Sequence, residues 1–121
     1  MNLKNIQVYD AVLTITNANN AGSFQNFPSK ELVIPCGITI RPDMFTGCKF
    51  NKVTIIAGTT STIIDTQYLF PLKNSLDTGC YVIIHDSITE IKDGAFSGCA
   101  IRTLQVNNTI IRGLSGLLFY S

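Results

Sequence analysis

The residues that could do chemistry are few and scattered. The candidates are four cysteines (Cys36, Cys48, Cys80 and Cys99), one histidine, His85, and the carboxylates Asp86, Glu90 and Asp93 that follow it. A structural zinc site writes its ligands as closely spaced Cys and His pairs. No such pair occurs here, so four free thiols and no metal are expected. As a general base, His85 would need a nucleophile and an orienting acid beside it. Asp86 is adjacent in sequence, and neighbours along a strand point to opposite faces. His85 therefore reads as a surface or partner-contacting residue. Asp86, Glu90 and Asp93 lie on one connecting segment and read as polar turn residues. Calcium needs several oxygen ligands in one compact loop, and the glycines show no G-x-x-x-x-G-K phosphate loop. No catalytic residue, cofactor site or metal site is expected, and the chain does not read as an enzyme.

The elements that must position these side chains follow from composition. The 121 residues are 45% hydrophobic and only 14% charged, against about 25% charged in an ordinary globular domain. One domain, 1–121, is expected. Nine basic and eight acidic side chains give a net charge of +1. A nucleic-acid binder would carry a strong basic excess, and a disordered chain would be poorer in apolar residues. No stretch approaches the roughly 20 apolar residues of a membrane span, and residues 1–10 lack the apolar core of a signal peptide. A cytoplasmic or virion-associated protein is expected, unless the chain is a fragment of a secreted one. Sixteen Ile, thirteen Thr and six Val are β-branched and favour strands over helices.

An internal repeat organises these strands. Residues 32–55 and 82–106 align with one gap. Phe45-Thr46-Gly47-Cys48 falls on Phe96-Ser97-Gly98-Cys99, and Val53 and Ile55 fall on Leu104 and Val106. Apolar-x-apolar strand cores recur at Leu13/Ile15, Leu32/Ile34, Val53/Ile55, Val82/Ile84 and Leu104/Val106, at spacings of 19, 21, 29 and 22 residues. The long interval predicts a protruding loop from about Pro71 to Gly79. Ile88-Thr89-Glu90-Ile91-Lys92-Asp93-Gly94-Ala95-Phe96-Ser97-Gly98-Cys99, followed by Ile101, Leu104 and Val106, resembles the BspA-like leucine-rich-repeat family. Residues 32–55 match the same pattern with departures at Pro42-Asp43 and Met44. The resemblance implies a mainly β, short solenoid of about five coils, with a parallel sheet on one face and helical turns on the other. It also implies protein binding or adhesion rather than catalysis.

In that arrangement a coil buries one face against its neighbours, so the stack itself is the core. Phe45 and Phe96 should stack within the turn segment, with Gly47 and Gly98 turning the chain after each. Ile38/Ile40 and Ile88/Ile91 should fill the opposite wall. Residues 1–30 are expected to form an N-terminal coil or cap, and 107–121 a C-terminal cap.

The outward sheet positions follow from the period of two. The central row is Thr14, Val33, Thr54, Ile83 and Gln105. One flank is Thr16, Pro35, Ile56, His85 and Asn107; the other is Val12, Glu31, Lys52, Tyr81 and Thr103. Only Glu31 and Lys52 carry a formal charge, which marks Val33, Thr54, Ile56, Tyr81, Ile83, His85 and Gln105 as a contact surface. The uncharged tail, with Leu117, Leu118, Phe119 and Tyr120, is expected to dock on the last coil or on another chain. The function expected is a non-enzymatic protein-binding module or self-associating protein. The alternatives are a structural subunit of a larger assembly, such as a virion or homo-oligomer, and a fragment of a surface adhesin.

Overall fold

A computed structural model describes residues 12–15, 24–99, 101–106 and 110–111. The chain is mainly β. Its strands are β1 (Val12–Thr14), β2 (Glu31–Pro35), β3 (Phe50–Ile56), β4 (Ile63–Ile64), β5 (Leu76–Ile84), β6 (Glu90–Ile91), β7 (Ile101–Val106) and β8 (Ile110–Ile111). A 3-10 helix, Phe70–Ser75, precedes β5. The strands form two parallel sheets, one in the order β1-β2-β3-β5-β7 and the other β4-β6-β8. All five expected strands are present in the expected register. Leu13, Leu32, Val53, Val82 and Leu104 pair in succession. So do Thr14, Val33, Thr54, Ile83 and Gln105 one residue later.

Alternation explains the burial. Leu32, Ile34, Val53, Ile55, Val82 and Ile84 are fully buried, while their outward neighbours, Pro35 excepted, are half-buried or exposed. The second sheet forms the opposite wall. Ile64, Ile91 and Ile111 pair in register, and Ile40, Ile64, Ile88 and Ile91 are buried, with Ile38 partly so.

The segments joining the two sheets repeat a pattern of three overlapping turns. Backbone N–H groups of Met44, Thr46 and Cys48 donate to the carbonyls three residues earlier. Tyr68, Phe70 and Leu72 do the same, as do Ala95, Ser97 and Cys99. Apart from the 3-10 helix, these are hydrogen-bonded turns rather than helices. Phe45, Leu69 and Phe96 therefore occupy equivalent positions, all buried. Phe24 joins them, because the Phe27 N–H bonds the Phe24 carbonyl as Cys48 bonds Phe45. The stacking partner of Phe45 is accordingly Phe24, with centroids 5.7 Å apart, and Leu69 stands between Phe45 and Phe96 in the series.

A left-handed residue follows three of the four large side chains, as a sharp turn requires. Gly47 and Gly98 have φ of 87° and 83°, and Asn26 fills the position in the first unit at φ 61°. Asn is among the few residues with side chains that visit this region readily. At the equivalent place the third unit has Pro71, whose ring holds φ near −65°. The chain cannot make the left-handed turn there and continues into the 3-10 helix. The expected protruding loop is thus corrected. Leu72, Ser75 and Leu76 are buried, and the extra length is taken up by the helix and by the nine-residue β5.

After this detour, Ser75 takes over the role of a cysteine. The Cys48 thiol donates to the Phe24 carbonyl at 3.0 Å, and Cys99 to Leu69 at 3.4 Å. Between them, the buried Ser75 hydroxyl donates to Phe45 at 2.9 Å. Each bond ties one unit to the large residue of the unit before it.

Phe96→Ala should cost about 3–5 kcal/mol through lost burial and a residual cavity, read by denaturant unfolding. A near-neutral midpoint shift would remove Phe96 from the core. Ser75→Ala should cost about 1 kcal/mol, while Ser75→Cys, which keeps the donor, should cost measurably less. Equal losses in the same assay would break the equivalence with Cys48 and Cys99.

Candidate functional site

His85 has closer polar neighbours than strand alternation suggests. β5 ends at Ile84, and a turn brings Asp86 and Ser87 around the ring. Asp86 Oδ1 lies 3.2 Å from His85 Nδ1, correcting the opposite-face expectation. Ser87 Oγ lies 2.7 Å from the same nitrogen, and the Ser87 backbone N–H donates to it at 3.1 Å. Serine, histidine and aspartate are thus together, but all contacts converge on Nδ1. A nucleophile relay needs the serine on one ring nitrogen and the carboxylate on the other. Ser87 Oγ is also the acceptor for the Ala57 N–H at 2.9 Å. The cluster is a turn that fastens the segment after β3 to the segment after β5. Ser87 was not singled out in the sequence, since its role depends on a residue 30 positions away.

The outward rows stand where the alternation places them. Val33, Thr54, Ile56, Tyr81 and Ile83 are half-buried, and His85 and Gln105 are exposed. The Tyr81 hydroxyl donates to Gln105 Oε1, joining β5 to β7 across the face. Glu31 and Lys52 sit side by side on β2 and β3, with Oε2 and Nζ 3.7 Å apart. The two formal charges of this face therefore neutralise each other. Val12, on β1, is one of two large hydrophobic residues counted as exposed among the described residues; the other, Phe70, lies on the 3-10 helix under the Lys73 ammonium. Pro35 departs from the expectation and is buried. Its carbonyl accepts a hydrogen bond from the buried Tyr68 hydroxyl. Gly58 also approaches the neighbouring Cys36 carbonyl so closely that a Cβ there would lie 2.2 Å from the oxygen. Thr16, Asn107 and the proposed docking residues Leu117, Leu118, Phe119 and Tyr120 lie outside the described residues.

A cleft of about 230 Å³ opens at the C-terminal ends of β1–β3, lined by Thr14, Ile15, Pro35, Ile56 and the segment 57–59. Among the described residues its lining holds no titratable side chain, so none of them offers an acid, base or thiol for catalysis.

All four cysteines are buried and free. Burial pushes the Cys80 thiol up to about 12 and the Cys99 thiol to about 11, and raises Cys48 as well. A thiolate is the reactive form, so these three are protonated and inert at neutral pH. The Cys36 thiol donates to the Ser61 carbonyl at 3.2 Å. Among the described residues no group of three or more His, Cys, Asp and Glu side chains is placed to hold a metal ion. No helix among them is long and apolar enough to cross a membrane.

Comparison with protein-family models, with curated proteins and with solved structures gave no match.

The raised thiols set a kinetic expectation. At pH 8 a thiol-specific disulfide reagent should label Cys48, Cys80 and Cys99 at least about a hundredfold more slowly in the folded protein than in denaturant. Rapid native labelling of any of the three would contradict their burial.

Proposed function

We propose that the chain is a short solenoid of the BspA-like leucine-rich-repeat kind and acts as a non-enzymatic protein-binding module. The recognition surface is the outward face of the five-stranded sheet, centred on Val33, Thr54, Tyr81 and Ile83. The observation that carries this reading is the composition of that face. Its aliphatic residues run across four adjacent strands, and its only formal charges on the described residues, Glu31 and Lys52, are paired with each other. A sheet face meant only for water is normally populated by charged residues. Purely parallel sheets are, moreover, usually covered on both sides.

The regular turns and recurring Phe/Leu positions support the solenoid reading, because each unit completes its apolar surface only against the next. The candidate chemistry points the same way. His85 is engaged in a turn, and Cys48, Cys80 and Cys99 are held in the protonated form. A structural role in a homo-oligomer is the second reading, favoured by the near-zero net charge of the chain, which leaves little electrostatic repulsion between copies.

Replacing Ile83 by Lys tests the face. The side chain is only half-buried on the outer surface, so its substitution should move the melting temperature by no more than a few degrees. Bound protein recovered with the tagged chain from its native source should fall at least about tenfold, in line with a central interface residue. Unchanged recovery with an intact fold would sink the open-face reading.

A further inference from the structure

We infer that the occupant of the open sheet face is a second copy of this chain, docked about a two-fold axis that runs along the strands between β2 and β3. This rests on the reading of that face as a binding surface and names its partner. The carrying observation is the arrangement of charge. Glu31 and Lys52 are register partners on adjacent strands and lie 3.7 Å apart. A two-fold axis between their strands exchanges β2 with β3. Glu31 of each copy then faces Lys52 of the other, making two cross-copy ion pairs from residues already paired within each chain. An isologous interface requires such self-complementarity.

The same axis settles the remaining positions. Along β2 and β3, Val33 meets Thr54 of the second copy. β1 is exchanged with β5, so Thr14 meets Ile83 and the exposed Val12 meets Tyr81. Val33 and Ile83 are each set against a threonine and Val12 against an aromatic ring, and no like charges are opposed. β7 falls outside the overlap. Its outward residues, Thr103 and Gln105, are polar and exposed, as a rim should be. Four strands at about 4.8 Å and five residues at about 3.3 Å give an overlap of only about 19 by 16 Å. That lies below the roughly 1,200 Å² total of a standard interface, so the dimer is a reversible one that forms at high concentration.

The test uses the purified full chain and its solution mass by sedimentation equilibrium, at low ionic strength where surface charges are least screened. Wild type should rise from monomer toward dimer mass as concentration approaches about 1 mM. Glu31→Lys places two pairs of cations opposite each other, and Lys52→Glu two pairs of anions. Each variant alone should associate roughly tenfold or more weakly than wild type. An equimolar mixture of the two variants opposes cation to anion twice, and should recover a heterodimer. Repair of the pair within one chain cannot produce that recovery. A wild type that stays monomeric up to about 1 mM, single variants that dimerise like wild type, or a mixture that stays monomeric would each overturn the inference. A monomeric wild type whose Ile83→Lys variant still loses a different bound protein overturns the second-copy assignment alone. A wild-type dimer indifferent to Ile83→Lys overturns the placement of the second copy on this face.

Discussion

The structure depends on one constraint, the parallel pairing of each long-sheet strand with the next at fixed register. Leu13, Leu32, Val53, Val82 and Leu104 must stand side by side for the core to close. A slip of one residue in any strand would turn its inward apolar residues to the outside. The same register places Thr14, Val33, Thr54, Ile83 and Gln105 in one outward row. Core and candidate surface are therefore two faces of one pairing. Where unit lengths differ, the chain absorbs the difference outside the shared strand segments. Register shifts occur between Phe50 and Lys52 and between Cys80 and Tyr81, leaving the pairs from Val53/Val82 onward aligned.

A second set of bonds ties the turn segments together. The Cys48 thiol, the Ser75 hydroxyl and the Cys99 thiol each reach back to a carbonyl in the preceding unit. These donors are buried, and no buried side-chain nitrogen or oxygen among the described residues lacks a partner. The cysteines are thus explained as small hydrophobes with one weak donor. Their protonated state follows from the burial that lets them serve so.

The strands and their faces were legible because period-two alternation and a repeat report the same positions independently. The matching of residues 45–48 with 96–99 survives in the structure because identical residue types, Phe, Gly and Cys, do identical jobs there. The first and third units were harder to read because different residues perform those jobs. Asn26 supplies the left-handed turn of a glycine, Leu69 the bulk of a phenylalanine, and Ser75 the donor of a cysteine, displaced by the detour that Pro71 imposes. Pattern matching compares residue types, whereas the fold compares conformations and donors. The β4-β6-β8 sheet was visible only as an apolar wall, since two-residue strands carry too little alternation to announce themselves. The candidate face was readable from register, except at Pro35, whose burial depends on the distant segment around Gly58 and on Tyr68. The His85 turn was misread because the strand ends one residue before it.

The most direct test of the central claim is a set of inter-strand nuclear Overhauser contacts in solution, measured on a methyl-labelled sample. The account predicts that Thr54 contacts Val33 on one side and Ile83 on the other, while Val53 contacts Leu32 and Val82. The two sets of contacts should lie on opposite faces of the sheet. Contacts from Thr54 to Leu32 or Val82 in place of those partners would mean a shifted register. The inward and outward residues would then be exchanged, and the core and the proposed binding face would fall together.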